Sequence, residues 1–241
     1  MKCLINQPAG LGDIIFCQKI ADYFINKGYE IIWPVIEEYC EIVNKHIPRK
    51  EINFCMESDD FPYKEYFNQN LIRPDKINQN DIYLPIRYAD RIFPSMPIMR
   101  TKFKIFNIDC GDWANYFFMK RDYEKENDLF YNILGLRDDE KFAVLNRNYG
   151  TKTTGSLIKQ FQVKTKNKII DMKFIDGYSI FDWCKTLEKS SEIYSVDTSL
   201  FYIVEKLNLD GVDLHAYSRN SPPSYYHIEG LFSAPWKYHY V

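Results

Sequence analysis

Residues 193–196 form an apolar run that leads straight into Asp197, Thr198 and Ser199, and residues 200–207 then repeat apolar side chains at helical spacing. A polar triplet at that point sits where the first helical N–H groups lack partners and the helix dipole is positive, which suits a phosphate or another anion. The hydroxyls of Thr198 and Ser199 add donors. The same residue types are also the ordinary caps of a helix, so capping and anion binding both account for them.

A second polar group follows the first apolar run of the chain. Residues 3–6 read as a strand, residues 8–12 (P-A-G-L-G) as a tight loop, and Ile14, Cys17, Ile20, Ala21, Phe24 and Ile25 recur at helical spacing until Gly28. Asp13 opens that helix beside Gly12. Its carboxylate suits the helix dipole or a cap, and the same dipole keeps it ionised and able to accept a proton from a substrate hydroxyl as a general base. Gly10 and Gly12 match two glycines of G-x-G-x-x-G, but Ile15 takes the third place and no acid follows the next strand, so a dinucleotide fingerprint is not formed.

Further along, residues 142–145 read as a buried strand, followed by a Gly-, Thr- and Ser-rich segment carrying Arg147 and Lys152. Between positions 147 and 173 Asp171 is the only acid among many lysines, so an anion is attracted there despite the acidic total. A second basic run, Arg87, Arg91, Arg100, Lys102 and Lys104, is opposed only by Asp90. It fits either a solvated face or a site for an acidic or glycan ligand. His215 lies near the carboxyl end of a strand and is a further candidate; a histidine so placed is more often a packed residue.

These groups need a frame to hold them. Residues 29–35 give a second strand, so the chain opens as a βαβ unit with a parallel sheet. Residues 37–46 read as a helix, 52–55 and 82–85 as strands, and 58–79 as an irregular aromatic segment. The second half alternates again: strand 168–172, helix 179–188 with Ser179 and Asp182 in capping-box spacing, strand 193–196, helix 200–207, strand 212–217. Such alternation predicts doubly wound sheets, in which ligands bind outside the carboxyl ends of the strands. Between the halves, residues 111–136 predict one long amphipathic helix ended by Gly135.

The pairing of Gly12–Phe16 (G-D-I-I-F) with Val196–Tyr202 (V-D-T-S-L-F-Y) resembles the heptosyltransferase-type glycosyltransferases of the GT-B fold. In that family the first domain opens with a Gly-Asp turn and the second carries Asp-(Ser/Thr)-Gly-x-x-His. Ser199 stands where the family has Gly, and Tyr202 where it has His. Trp113 to Leu136 also looks like the family's connector, and Lys141 to Asn148 like the first strand of its donor domain. The resemblance implies an α/β, GT-B-like fold of two small Rossmann-like lobes whose parallel sheets face a central cleft. It implies an acceptor lobe (1–112), a helical connector (113–140), a donor lobe (141–220) and a tail near the lobe boundary (221–241). It further implies an inverting, metal-independent transfer of sugar from a nucleotide-sugar donor to a hydroxyl of a glycan or glycoconjugate, with no cofactor. Asp13 would be the base, Arg147, Lys152, Asp197, Thr198 and Ser199 would hold the donor phosphates, and Gly12, Tyr202 and His215 would lie in the cleft. The two departures leave a non-catalytic nucleotide-sugar or glycan-binding module as the alternative.

Composition narrows the remaining classes. With 46% hydrophobic and 17% aromatic residues in 241, the chain can bury a sizeable core. A net charge of -2 argues against a nucleic-acid binder. Six scattered cysteines without a C-x-x-C pair read as reduced core thiols rather than a disulfide frame or zinc site, and point to the cytoplasm. No apolar stretch reaches membrane-spanning length. D-x-D, H-E-x-x-H, G-x-S-x-G and the P-loop signature are all missing from the sequence.

Overall fold

The computed structural model describes residues 1–148, 163–220 and 222–240. The chain divides into two compact units, Met1–Lys120 with Tyr226–Leu231, and Arg121–Tyr225 with Phe232–Val241. Among the described residues no helix is long and apolar enough to cross a membrane.

The first unit runs β1 (Lys2–Ile5), α1 (Leu11–Phe16), α2 (Gln18–Ile25), β2 (Glu30–Val35), α3 (Glu37–His46), β3 (Ile52–Met56), α4 (Lys64–Asn68), β4 (Asp75–Lys76), β5 (Ile82–Leu84), α5 (Ala89–Ile92) and α6 (Ile98–Lys104). Its sheet has the order β3-β2-β1-β5-β4, with only β4 antiparallel. The strands are apolar on both faces because helices and loops cover both. On one face Leu4, Ile32 and Tyr83 pack on Phe61 and Phe67. Phe16 of α1 meets Phe103 of α6 edge-on at 4.7 Å and Trp113 at 5.5 Å.

The periodicity that predicts one helix over residues 14–25 yields two. The break falls at Cys17, where the Gln18 side chain donates to the Ile14 carbonyl at 3.0 Å. A side chain inserted into the backbone ladder is a recognised cause of a kink. Gly28 follows α2 at φ 87°, a left-handed conformation that glycine adopts without strain.

The second unit holds α7 (Tyr123–Asn127), β6 (Phe142–Asn146), β7 (Lys168–Asp171), α8 (Cys184–Lys189), β8 (Glu192–Val196), α9 (Ser199–Val204), β9 (Asp213–Tyr217) and β10 (Lys237–His239). Its sheet is wholly parallel, in the order β10-β9-β8-β6-β7. The capping box expected at Ser179 and Asp182 is present and starts the turn that enters α8.

The long helix expected over residues 111–136 does not form. The segment is a 3-10 turn at Trp113–Tyr116, an extended stretch from Phe117, then α7 and a π-helical turn at Asp128–Ile133. Trp113 and Phe117 are buried in the first unit and Leu129 and Phe130 in the second, so two separate cores divide one apolar stripe. The Lys120 N–H leaves any helical ladder and donates to the His46 carbonyl at 2.8 Å. Arg121 then ties into the second unit, donating to buried Glu126 through Nε at 2.8 Å and to Glu188 through Nη1 at 2.7 Å.

Candidate functional site

Each sheet has one place where the chain reverses its direction of winding. In the first it lies between β1 and β5, and in the second between β6 and β8. Ligands of open parallel sheets bind at such switch points, beyond the carboxyl ends of the strands. Both places are polar here.

In the first unit β1 runs into buried Asn6 and Gln7 and then into the loop that opens α1. Gly10 caps α1 at φ 80°, and a Cβ there would lie 2.0 Å from Oδ2 of Asp13. The Asp13 carboxylate therefore folds back over the glycine. It makes no side-chain cap to α1. Its partner is Lys102 of α6, whose Nζ lies 3.1 Å from Asp13 Oδ1 and donates to Gln7 Oε1 at 2.8 Å. Lys102 is buried, whereas the Asp13 side chain keeps 28% of its surface. Burial pushes the Lys102 ammonium down, yet the charge of Asp13, with smaller contributions from Cys17 and Asp90, outweighs it and holds the group above the ordinary lysine value. Burial pushes the neighbouring Cys17 thiol up to about 12, which removes it as a nucleophile at neutral pH. Gly12 is buried within α1. In the sequence Lys102 is legible only as one member of a basic run.

In the second unit the hub is Asn146, the last residue of β6, buried and not anticipated from sequence. Its Nδ2 donates to Ser195 Oγ at 3.1 Å and to Thr198 Oγ1 at 3.3 Å, and its Oδ1 accepts the Asn148 N–H at 3.1 Å. Thr198 is the cap of α9, and its Oγ1 also accepts the Leu200 N–H at 3.3 Å. A hydroxyl has two lone pairs and one proton. Both lone pairs of Thr198 are taken, so its proton is what it has left to offer. Ser199, partly exposed, begins α9 beside it. Arg147 follows Asn146, and its buried Nε has no partner among the described residues.

The other sequence candidates are engaged differently. Asp197 is buried and accepts the Arg219 N–H at 2.8 Å, tying the end of β8 to the loop after β9. Tyr202 is buried with its ring edge-on to Phe232 at 4.9 Å. His215 lies in the middle of β9, stacked on Tyr194 at 4.4 Å, with its Nδ1 3.0 Å from His239 Nε2. Lys152 lies outside the described residues. Among the described residues no group of three or more His, Cys, Asp or Glu is placed to hold a metal ion.

No family model matches the chain, and no curated protein matches it in sequence. A solved structure does resemble it: the glycosyl transferase family 9 from Veillonella parvula DSM 2008, with a TM-score of 0.51 and 10% identity, the match covering 99% of this chain and 86% of that one. At that identity the likeness is one of architecture, and it agrees with the two five-stranded, largely parallel sheets: the chain has a GT-B-like α/β fold.

Proposed function

We propose that this chain is a glycosyltransferase that moves a sugar from a nucleotide-sugar donor to a hydroxyl of a glycan or glycoconjugate acceptor. The observation that carries this reading is the chemistry at the β6–β8 switch point, where Thr198, held by Asn146, keeps an uncommitted proton, and Arg147, the residue after Asn146, has a buried Nε without a partner among the described residues. Charge-assisted donors of this kind suit a diphosphate.

In this reading the acceptor hydroxyl attacks the anomeric carbon as Asp13 takes its proton. The new carbon–oxygen bond forms while the bond from that carbon to the diphosphate oxygen breaks, with inversion. Arg147, Lys152, Thr198, Ser199 and nearby backbone N–H groups take up the charge of the leaving diphosphate, so that no metal is required. Six free cysteines fit a reducing compartment, and we assign the protein to the cytoplasm.

The test is a thermal-shift screen of nucleotide diphosphates and nucleotide sugars, since a ligand that binds the folded state raises its apparent stability. Arg147→Ala and Thr198→Val should each weaken binding of the selected nucleotide by about 1–3 kcal/mol. Unchanged affinity in both variants overturns the donor site, and activity that is lost to EDTA and restored by manganese overturns the metal-free mechanism. The buried Tyr202, standing where the family has histidine, favours a second reading as a nucleotide-sugar-binding module without turnover. Binding without transfer, across a panel of acceptors, would establish that alternative.

A further inference from the structure

We propose that His215 and His239 form a proton-operated latch on β10, the last strand of the second sheet: the strand is held at neutral pH and released once both imidazoles carry a proton.

β10 has three residues, lies at the end of the sheet and pairs with β9 alone among the described residues. Alternate residues of a strand share a face. The register sets Tyr194 beside His215 and Tyr217 beside His239. Each histidine ring lies nearly parallel to its tyrosine, at 4.4 Å and 5° in the first pair and 4.6 Å and 9° in the second. Held in this way, the two imidazoles meet with His215 Nδ1 3.0 Å from His239 Nε2, one nitrogen donating and the other accepting.

Such a bond survives with no extra proton, or with one, when the imidazolium donates to its neutral partner. A second proton leaves both facing nitrogens as donors and sets two cations in contact. The acids on the neighbouring strands are already committed. Asp213 pairs with Lys237 at 2.7 Å, and Lys237 is itself a cation directly across from His215. Glu192 accepts from the Tyr194 hydroxyl at 2.6 Å and from Asn167 at 2.7 Å. Burial first, and then the charges of His239 and Lys237, hold His215 below the ordinary 6.5, with Asp213 and Glu192 acting the other way. On a detached strand each imidazole titrates as an ordinary histidine. The closed state is therefore favoured above pH 6.5 and loses that advantage as pH falls through the lowered value of His215.

The other ties of β10 do not titrate in this range. They are the backbone ladder, the Tyr225 hydroxyl 2.6 Å from the His239 carbonyl, and the Lys237–Asp213 pair, in which the hydrogen bond from Lys237 holds the Asp213 carboxyl below the usual carboxylate range. Just before β10, buried Trp236 stacks on Phe201 with ring centroids 3.9 Å apart. That anchor confines the opening to the residues after it. Release uncovers the outer edge of β9, a row of unpaired N–H and C=O groups.

The experiment is hydrogen exchange of the full-length protein at about pH 7.5 and about pH 5.5, one unit either side of an ordinary histidine, corrected for intrinsic exchange rates. Protection of the amides of residues 237–239 should fall by roughly tenfold or more at the lower pH, while β6 and β8 keep theirs. His239→Gln retains an amide that can donate to or accept from His215 but does not titrate, so in that variant the pH response of β10 should disappear. Unchanged β10 protection in the wild-type protein, an equal loss throughout β6 and β8, or an undiminished response in His239→Gln overturns the latch. Histidine-selective nitrogen NMR of the wild-type protein decides the matter should the variant fail to fold. There the two rings should titrate as a coupled pair in two separate steps, and two independent titrations at the ordinary value overturn the proposal.

Discussion

The buried ammonium of Lys102 lies 3.1 Å from Asp13 Oδ1, so the carboxylate proposed as the base is one half of an ion pair rather than a helix cap. Removing only one member of a buried pair leaves an uncompensated charge, at about 3–5 kcal/mol where both are fully desolvated. Asp13 keeps 28% of its side-chain surface, so solvent screens part of that cost. Asp13→Asn should therefore destabilise the fold by about 2 kcal/mol, and Asp13→Asn/Lys102→Met should recover most of the loss. Denaturant melts of the single and double variants check this. Additive losses would show that the pair is not coupled. Turnover with the true substrates should fall about 10²- to 10⁴-fold in Asp13→Asn if the carboxylate is a general base.

Gly10 is the second lever on Asp13. Its φ of 80° disfavours a side chain, and an added Cβ would lie 2.0 Å from Asp13 Oδ2. Gly10→Ala should cost about 1–2 kcal/mol from the left-handed backbone alone and more from displacing the carboxylate. The same denaturant melts read the loss, and a variant as stable as the wild type would mean that the loop rearranges freely.

Asn146 joins β6, β8 and the cap of α9 through three hydrogen bonds. Asn146→Ala strands the Asn148 N–H and frees Thr198 Oγ1, and should cost about 1–3 kcal/mol of stability. Nucleotide diphosphate binding should weaken as well, because Thr198 loses the group that orients it. Isothermal titration and melting of Asn146→Ala against Asn146→Asp separate the two effects. Intact binding in a destabilised Asn146→Ala would make the hub purely structural.

His215 predicts a pH dependence. Burial first, and then the positive charges of His239 and Lys237, hold its imidazole below the ordinary value of 6.5, against the opposing charges of Asp213 and Glu192. The folded state therefore favours the neutral ring. Its stabilising contribution is fully present above pH 6.5 and is lost as pH falls from there through the lowered folded-state value. Melting temperature should drop on acidification from pH 7.5 to 5.5 (values of about one unit either side of an ordinary histidine), and should drop less in His215→Phe, which keeps an aromatic ring on Tyr194. Parallel curves for the two proteins would refute the assignment.

Much of the frame is written locally. Apolar runs between glycine- and proline-bearing loops mark β1, β2, β6, β8 and β9, and the Ser179–Asp182 spacing marks the start of the helical segment that follows. Asp13 and Thr198 are legible for the same reason: a polar residue between a strand and a helix is a short-range pattern. The long amphipathic stripe at residues 111–136 misleads because periodicity reports that side chains are apolar, not which core receives them, and Trp113 and Leu129 enter different ones.

What the sequence by itself determined is the alternation of elements and the two polar strand ends. Tertiary structure decided their chemistry. Lys102 reaches Gln7 across 95 residues, Asn146 reaches Thr198 across 52, and Asp197 turns to Arg219 across 22. Helical and strand periodicities extend over only a few residues, whereas these bonds depend on which strands become neighbours when the sheets wind outward from β1 and β6. Buried polar groups must find partners. Which partners they find is set by that winding, and so Asp13 became an ion pair, Thr198 kept a proton to give, and Asp197 was drawn inward to hold a loop.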